Sequence, residues 1–198
     1  MDKKFSKAMV NIFDEQESLK SVRDKAIVLL GFFGAFRRSE LVALKWEHIQ
    51  FVRGGIVVQV ARSKTDQAGE GAECVIPAGS EKRCPVQALI DWRGVSKRFE
   101  GPVFCRIGKT GMISELAVST HSLNKILRNI AKSAKIPNHE CMSAHSLRRG
   151  FATESARLGA SMPAIQKHGR WKSTKTVYEY IEAGRQFKDS AVNVFLGA

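Results

Sequence analysis

The sequence predicts one globular domain that is mainly α-helical, with a short β segment in its first half. Hydrophobic residues make up 43% of the 198 positions, which is enough to form a core. Apolar residues recur at helical spacing over residues 26–33 and 123–130. The spacing changes between residues 52 and 76, where residues 55–60 and 73–77 have the composition of short strands. A chain of this length suits a single domain.

Helix-start residues set the order of the predicted helices in the first part of the chain. A strongly apolar helix is predicted from Ser21, and Gly31 and Gly34 loosen its end or allow a close approach. Ser39 is the predicted N-cap of a second helix, whose core side extends to Ile49. Between these helices the chain must break, so that residues in the break can point towards a ligand.

Three further helices are predicted in the second part of the chain. Pro85 opens the first of them, as proline does at the first helical position, and the next covers residues 121–134. Ser143 is the predicted N-cap of the third, whose apolar face runs from Leu147 to Leu158. Residues 103–104 form a predicted short strand in the loop between the first two of these helices.

The two ends of the chain carry amphipathic patterns of their own. Residues 1–20 are predicted to form a short helix or the remains of a linker from an upstream domain. Residues 186–198 are predicted to form a tail helix, which either packs on its own domain or lies in a groove of a neighbouring copy.

The chain is strongly basic, with 32 Lys and Arg against 19 Asp and Glu, a net charge of +13 and a pI near 9.9. Basic residues recur along the whole chain, which favours a polyanionic partner and in particular nucleic acid. No apolar run reaches the roughly 18 residues that a membrane span needs. We therefore expect no membrane partner.

Four cysteines are scattered without a paired CxxC motif, which favours reduced thiols in a cytoplasmic protein. A zinc site formed by His139, Cys141 and His145 is the alternative, although structural zinc sites normally use more closely paired ligands. We expect neither a metal nor another cofactor.

Residues 145–180 contain the reactive groups of a phosphoryl-transfer site. His145 and Arg148 stand three residues apart on a predicted helix, so both side chains can reach one anion. Trp171 and Tyr180 follow, nine residues apart, and add an indole N–H and a phenol. A nucleophilic phenol among fixed cations indicates phosphoryl transfer through a covalent phosphotyrosine.

These residues, in this order, resemble the catalytic set of the tyrosine recombinases, the phage-integrase family. Residues 34–41, Gly-Ala-Phe-Arg-Arg-Ser-Glu-Leu, are similar to the family's first arginine box, and residues 145–153 are similar to its second. Residues 169–181 resemble the segment that ends at the nucleophile. The ordered set is specific, whereas a single His-x-x-Arg motif would be weak. The resemblance runs from residue 21 to the C-terminus.

The resemblance implies a role for each matched residue. Arg37 and Arg148 would brace the phosphate, and Glu40 would orient these cations from behind. His145 would hydrogen-bond the phosphate or accept the phenol proton, and Tyr180 would attack to form a 3′-phosphotyrosyl bond.

Two further positions complete the implied site. Lys64, in the predicted hairpin connection, would protonate the leaving 5′ oxygen. Trp171 occupies a position at which most members of the family have His and Cre-like members have Trp. It would donate its N–H to the phosphate. His168 is the alternative to Trp171, and Tyr178 is the alternative to Tyr180.

The same resemblance implies a fold and a function. The expected fold is the integrase catalytic core, mainly α with a small three-stranded antiparallel sheet at one edge. The expected function is site-specific recombination through a Holliday junction, for integration or excision of a mobile element, without metal or ATP. A type IB topoisomerase and a non-catalytic DNA-binding relative are the alternatives.

The family also sets expectations for organisation and partners. Residues 1–198 would be a single catalytic domain, without the amino-terminal core-binding domain of the family. The partner would be a double-stranded recombination site, bound by a homotetramer, and the isolated domain could be a monomer. We expect a bacterial cytoplasmic protein associated with the nucleoid.

Overall fold

A computed structural model describes residues 18–60, 71–79 and 83–185, together with the single residues 11, 13 and 192. The hairpin connection that carries Lys64 and most of the predicted N-terminal and tail helices therefore lie outside the described residues. The helix predicted from Ser21 begins two residues earlier, at Leu19, inside the predicted N-terminal segment. Within the described parts, no helix is long and apolar enough to cross a membrane.

Seven α-helices carry most of the described chain, in agreement with the predicted fold class. Their bounds are Leu19–Phe33 (α1), Arg38–Ala43 (α2), Pro85–Ser96 (α3), Thr120–Ser133 (α4), Ala144–Arg157 (α5), Met162–Gly169 (α6) and Thr174–Arg185 (α7). Short 3₁₀ turns cover Trp46–His48 and His139–Cys141. Pro85 occupies the start of α3 and Ser143 the N-cap of α5, so both predicted helix starts are confirmed.

The predicted three-stranded antiparallel sheet is present. Its strands are Ile49–Val52 (β1), Gly55–Val60 (β2) and Ala72–Pro77 (β3), in the order β1-β2-β3. A second, two-stranded sheet pairs Cys105–Ile107 (β4) with Ile113–Ala117 (β5). The strand predicted at residues 103–104 was therefore placed two residues early, and its partner strand was not predicted.

Three details of the helix predictions are wrong. Ser39 lies inside α2 and is not its N-cap, since that position belongs to Arg37. Ile49 begins strand β1 and is not part of a helix, because α2 ends after six residues at Ala43. Leu158 follows the end of α5 and is largely exposed, so the apolar face of that helix stops earlier.

The buried side chains form two clusters. The larger one joins α1 to α3 and α5 and includes the inner face of the three-stranded sheet. The smaller one lies between α5, α6 and α7, with Ala152, Ala156, Ile165, Val177 and Ile181 at its centre. Helix α5 belongs to both clusters, because Leu147 near its start packs in the larger one. Helix α5 therefore joins the two clusters.

The glycines near the end of α1 allow close packing. A Cβ at Gly31 would lie 2.9 Å from Leu147 Cδ1, so this glycine lets α5 approach α1. Gly34 caps α1, and a Cβ there would lie 2.1 Å from the buried ring of Phe36 and 2.9 Å from the Leu30 carbonyl oxygen. The close approach predicted from the sequence is confirmed, while the helix itself continues unbroken to Phe33.

We predict opposite effects on stability for two glycine-to-alanine substitutions. Gly34→Ala should lower the free energy of unfolding by about 1–3 kcal/mol, because the new methyl group overlaps a ring that cannot move. Gly94→Ala is the matched control: this glycine is exposed inside α3, a Cβ there meets nothing within 4 Å, and the substitution should stabilise by about 0.5–1 kcal/mol. Urea unfolding of both variants measures this, and equal midpoints would contradict the packing described for Gly34.

Candidate active site

One cleft of about 430 Å³ collects most of the residues that the sequence singled out. Five of the predicted site residues line it: Arg37, His145, Arg148, Trp171 and Tyr180. Four residues that were not predicted as site residues line it as well: Arg38, Asn124, Ser143 and Thr176. The cleft is therefore built from α2, α4, α5, α7 and the turns before α2, α5 and α7.

Helix α5 supplies two of the reactive groups from its first two turns. Its N-cap is Ser143, whose N–H donates to Ser146 Oγ at 3.2 Å, so the helix starts close to the cleft. Asn124 of α4 accepts a hydrogen bond from the Ala144 N–H at 3.3 Å and anchors this start. His145 and Arg148, one helical turn apart, then face the same cleft.

The phenol of Tyr180 lies within hydrogen-bond distance of His145. Tyr180 Oη is 3.2 Å from His145 Nε2. Partial burial, followed by the charges of Arg149 and Arg148, lowers the pKa of His145 below its ordinary value. The imidazole is therefore neutral at neutral pH and its ring nitrogen can accept the phenol proton.

Arg148 is buried at the base of the cleft and is held by the backbone and by an aromatic ring. Its Nη1 donates to the Ala35 carbonyl at 2.5 Å, and its guanidinium carbon lies 4.2 Å from the centre of the Trp171 ring. Burial and the nearby charge of Arg37 lower the pKa of Arg148 to about 10, so it stays cationic at neutral pH. Its buried Nη2 has no hydrogen-bond partner within the described parts of the chain.

Arg37 stands at the break between α1 and α2, as the sequence predicted, and is fixed by Glu40. The Arg37 N–H donates to Glu40 Oε2 at 2.8 Å, and Arg37 Nη1 donates to Glu40 Oε1 at 2.5 Å. Arg37 is about one-third exposed, whereas the Glu40 side chain is 4% exposed. The guanidinium of Arg37 thus lies in the cleft and is held there by the buried Glu40 carboxylate.

The buried Glu40 carboxyl is held in its ionised form. Burial alone would raise its pKa, but the Arg37 N–H and the charges of Arg170 and Arg37 together lower it. Arg170 Nη2 donates to Glu40 Oε2 at 3.2 Å, so one carboxylate binds two guanidiniums. The sequence analysis assigned no role to Arg170. The signal available in the sequence was its charge and its place next to Trp171.

Trp171 rather than His168 lies in the cleft. His168 points away, where its Nε2–H donates to the Phe33 carbonyl at 2.6 Å and its ring stacks on Phe151 with centroids 4.7 Å apart. The Trp171 ring packs directly on Gly169, where a Cβ would fall 1.7 Å from Cζ3. Glycine at this position therefore sets where the indole can lie.

The two tyrosines have different surroundings. Tyr180 faces His145 and also lies beside Trp171, with ring centroids 6.2 Å apart. Tyr178, the alternative nucleophile, is 54% exposed and does not line the cleft. Lys64 lies outside the described residues, so its position relative to the cleft stays a prediction.

The described residues do not contain a cluster of three or more His, Cys, Asp or Glu side chains suited to a metal ion. His139 instead lies 3.6 Å from the carboxylate of Glu140, and Cys141 is an exposed free thiol. The zinc alternative considered for His139, Cys141 and His145 is therefore not supported.

Comparison with known proteins places these features in a family. The model of the phage integrase family matches residues 1–186. A XerD-like integrase/recombinase of Selenomonas ruminantium is 39% identical over 186 residues, covering 93% of this chain and 54% of that protein. The Cre recombinase of Escherichia phage P1 is 26% identical over 181 residues, covering 86% and 52%. The chain thus spans about half the length of these relatives.

Solved structures show the same fold. XerH recombinase in a post-cleavage complex with its difH substrate matches 99% of this chain and 53% of its own, with a TM-score of 0.76 at 17% identity. XerA recombinase matches all of this chain and 63% of its own, with a TM-score of 0.71 at 21% identity. With the cleft residues in the expected order and the family model matching nearly the whole chain, this protein belongs to the phage integrase family of tyrosine recombinases.

Proposed function

We propose that the chain cleaves and rejoins DNA strands as the catalytic domain of a site-specific recombinase, through a 3′-phosphotyrosyl intermediate. The observation that carries this proposal is the meeting of Tyr180 and His145 at 3.2 Å in a cleft that Arg37 and Arg148 also line. A nucleophile beside a neutral base, facing two fixed guanidiniums, is the arrangement that attack on a phosphodiester requires.

The two arginines have different parts in the reaction. Arg148 presents an unpartnered, buried guanidinium N–H group, so a phosphate oxygen would satisfy a donor that otherwise lacks a partner within the described residues. Arg37 offers a more exposed guanidinium to the same cleft. Both are held before substrate arrives, and they therefore stabilise the charge that develops on the non-bridging oxygens with little reorganisation.

The proton path follows from the same contacts. Tyr180 donates its hydroxyl hydrogen to His145 Nε2 and its oxygen forms the bond to phosphorus. The 5′ oxygen of the cleaved strand leaves as that bond forms, and Lys64 supplies its proton. Trp171 lies against Arg148 and narrows the cleft around the phosphate. The bond energy is retained in the phosphotyrosine, and a 5′-hydroxyl of another strand reverses the reaction.

A basic stripe beside the cleft supports a DNA substrate. Four exposed residues of α4 occupy one face of the helix at i, i+4, i+7 and i+11, namely His121, Lys125, Arg128 and Lys132. Asn124, between them, lines the cleft. The stripe can bind phosphates along a duplex whose scissile phosphate enters the cleft.

Known relatives suggest the biological setting. The XerH structure contains its difH DNA substrate, and the integrase of transposon Tn1549, which shares the fold, was solved with transposon DNA. We propose by analogy that this chain acts on a double-stranded recombination site, in a homotetramer that exchanges strands through a Holliday junction. Integration or excision of a mobile element is the proposed outcome.

We predict that a covalent protein–DNA adduct forms on Tyr180. A library of nicked duplexes with a randomised centre is incubated with the protein, so that the short fragment released by cleavage diffuses away and the adduct accumulates. Mass spectrometry should find a 3′-phosphoryl nucleotide on Tyr180. Tyr180→Phe should abolish the adduct while DNA binding persists, because only the attacking oxygen is removed.

Tyr178→Phe is the matched control and should retain adduct formation, since Tyr178 lies outside the cleft. An adduct on Tyr178 would overturn the assignment of the nucleophile. DNA binding without any adduct would favour the non-catalytic relative, and relaxation of supercoils without resolution of synthetic Holliday junctions would favour the type IB topoisomerase.

We predict a pH dependence that reports on His145. As a proton acceptor the imidazole must be neutral, so the rate of adduct formation should fall only as the pH drops through its lowered pKa. Arg149→Gln removes one of the charges that lower this pKa, so the acidic limb of the pH–rate profile should move to higher pH. Single-turnover rates measured across the acidic range test this, and an unmoved limb would show that another group controls the profile.

We predict that a better leaving group rescues a Lys64 variant. Lys64→Ala should slow cleavage of an ordinary strand by roughly 100-fold or more, because the 5′ alkoxide then leaves without a proton. A 5′-bridging phosphorothiolate releases a thiolate, which needs no proton donor, and should restore the rate. Arg148→Ala, which removes a phosphate contact instead, should not be rescued. Failure of the sulfur substrate to restore Lys64→Ala would exclude the general-acid role.

A further inference from the structure

Arg170 stands in the turn between α6 and α7 in a conformation that arginine seldom adopts. Its backbone is left-handed, with φ 58° and ψ 41°, and it caps the end of α6. Glycine adopts such a conformation without steric cost, whereas a side chain with a Cβ does not. Its side chain is 9% exposed, so this charged group is also removed from water. Both costs need a compensating interaction.

The guanidinium of Arg170 binds the turn that carries Arg37. Its Nη2 donates to Glu40 Oε2 at 3.2 Å and to the Gly34 carbonyl at 3.1 Å, and its Nη1 donates to the His168 carbonyl at 2.9 Å. The guanidinium carbon lies 5.0 Å from the centre of the Phe36 ring. A lysine ammonium could not reach these acceptors and stack on the ring together, since it lacks the planar fork.

The backbone of Arg170 also holds Arg37 directly. Arg37 Nη2 donates to the Arg170 carbonyl at 3.1 Å, and this carbonyl belongs to the left-handed residue. Arg37 is therefore held by two groups, the Glu40 carboxylate, which also pairs with Arg170, and the Arg170 carbonyl. The residue after Arg170 is Trp171, and α7 with Tyr180 follows.

We propose that Arg170 is a positioning residue for strand cleavage, which fixes the Glu40 carboxylate and thereby the phosphate-binding geometry of Arg37. This role rests on the proposed function of the cleft. Arg170 itself does not line the cleft. Arg170 connects the turn between α6 and α7 to the turn before α2. Because Tyr180 lies in α7 and Arg37 lies before α2, this connection couples the position of the nucleophile to the position of the cation that would bind the phosphate.

The experiment separates the side chain of Arg170 from its backbone. Arg170→Gly keeps the left-handed turn and its carbonyl and removes only the guanidinium. The single-turnover rate of adduct formation at saturating DNA should fall roughly 10- to 100-fold, since a small displacement of an orienting group costs that much. The dissociation constant for the DNA should stay unchanged. Arg170→Lys should give an intermediate rate, because it keeps the charge and loses the fork.

A matched control removes a buried arginine elsewhere. Arg23 is 7% exposed at its side chain, pairs with Asp24 and donates to the Cys105 carbonyl, away from the cleft residues. Arg23→Gln should lower the stability of the fold while the folded protein keeps the wild-type cleavage rate. If Arg170→Gly also cleaves at the wild-type rate, the positioning role is overturned and Arg170 is only a structural residue.

A double-mutant cycle with Glu40→Gln tests whether Arg170 acts through Glu40. In the Glu40→Gln background, Arg170→Gly should slow cleavage by much less than in the wild type, because the group it orients is gone. Full additivity of the two rate effects would contradict the proposal. Absence of an adduct from the wild-type protein would instead overturn the proposed function, so the two failures are distinguishable.

An NMR titration tests the contact between Arg170 and Glu40 independently of cleavage activity. The Glu40 carboxyl is faced by Arg37, Arg170 and Arg148 and by the thiol of Cys74. Removing Arg170 removes one of the charges that lower the Glu40 pKa, so the carboxyl carbon should titrate at higher pH in Arg170→Gly than in the wild type. An unchanged titration would show that Arg170 does not hold Glu40.

Discussion

The site depends on keeping three guanidiniums close together. Arg37, Arg148 and Arg170 repel one another, and the effect is visible in Arg148, whose pKa falls to about 10 partly because of Arg37. Glu40 offsets this repulsion with one buried carboxylate, which binds two of the three. The Ala35 carbonyl, in the turn after α1, accepts from the third. Arg37 and Arg148 therefore line the cleft instead of spreading into solvent, while Arg170 stays buried against Glu40.

The turn between α1 and α2 carries this arrangement because its carbonyls are left open by the end of a helix. The carbonyl end of a helix carries a partial negative charge and needs donors. Phe33 and Gly34 receive theirs from His168 and Arg170, which come from more than 130 residues further along the chain. The open carbonyls at the end of α1 are therefore satisfied by donors from the segment that precedes α7.

The two hydrophobic clusters explain how helices from both parts of the fold come together at the cleft. Helix α5 starts in the larger cluster, where Leu147 packs, and ends in the smaller one with Ala152 and Ala156. Helix α7 packs along α5 through the smaller cluster, which sets Tyr180 opposite His145. Because the smaller cluster is modest in size, polar contacts from Arg170 and His168 contribute to its position. The geometry of the cleft thus depends on packing and on hydrogen bonds across the same boundary.

The sequence by itself predicted α1 to α5, the three-stranded sheet and the residue types of the cleft, since these follow from local spacing, from helix-start residues and from resemblance to a family. It predicted neither α6 nor α7 as a helix. It missed the end of α2 and the pairing of β4 with β5, because strand pairing depends on partners beyond the local pattern. Only the tertiary structure decided that Trp171 rather than His168 lines the cleft and that Tyr180 rather than Tyr178 faces His145. It alone gave Arg170 a partner in Glu40, because a contact between residues 130 positions apart exists only once the two helix ends are packed together.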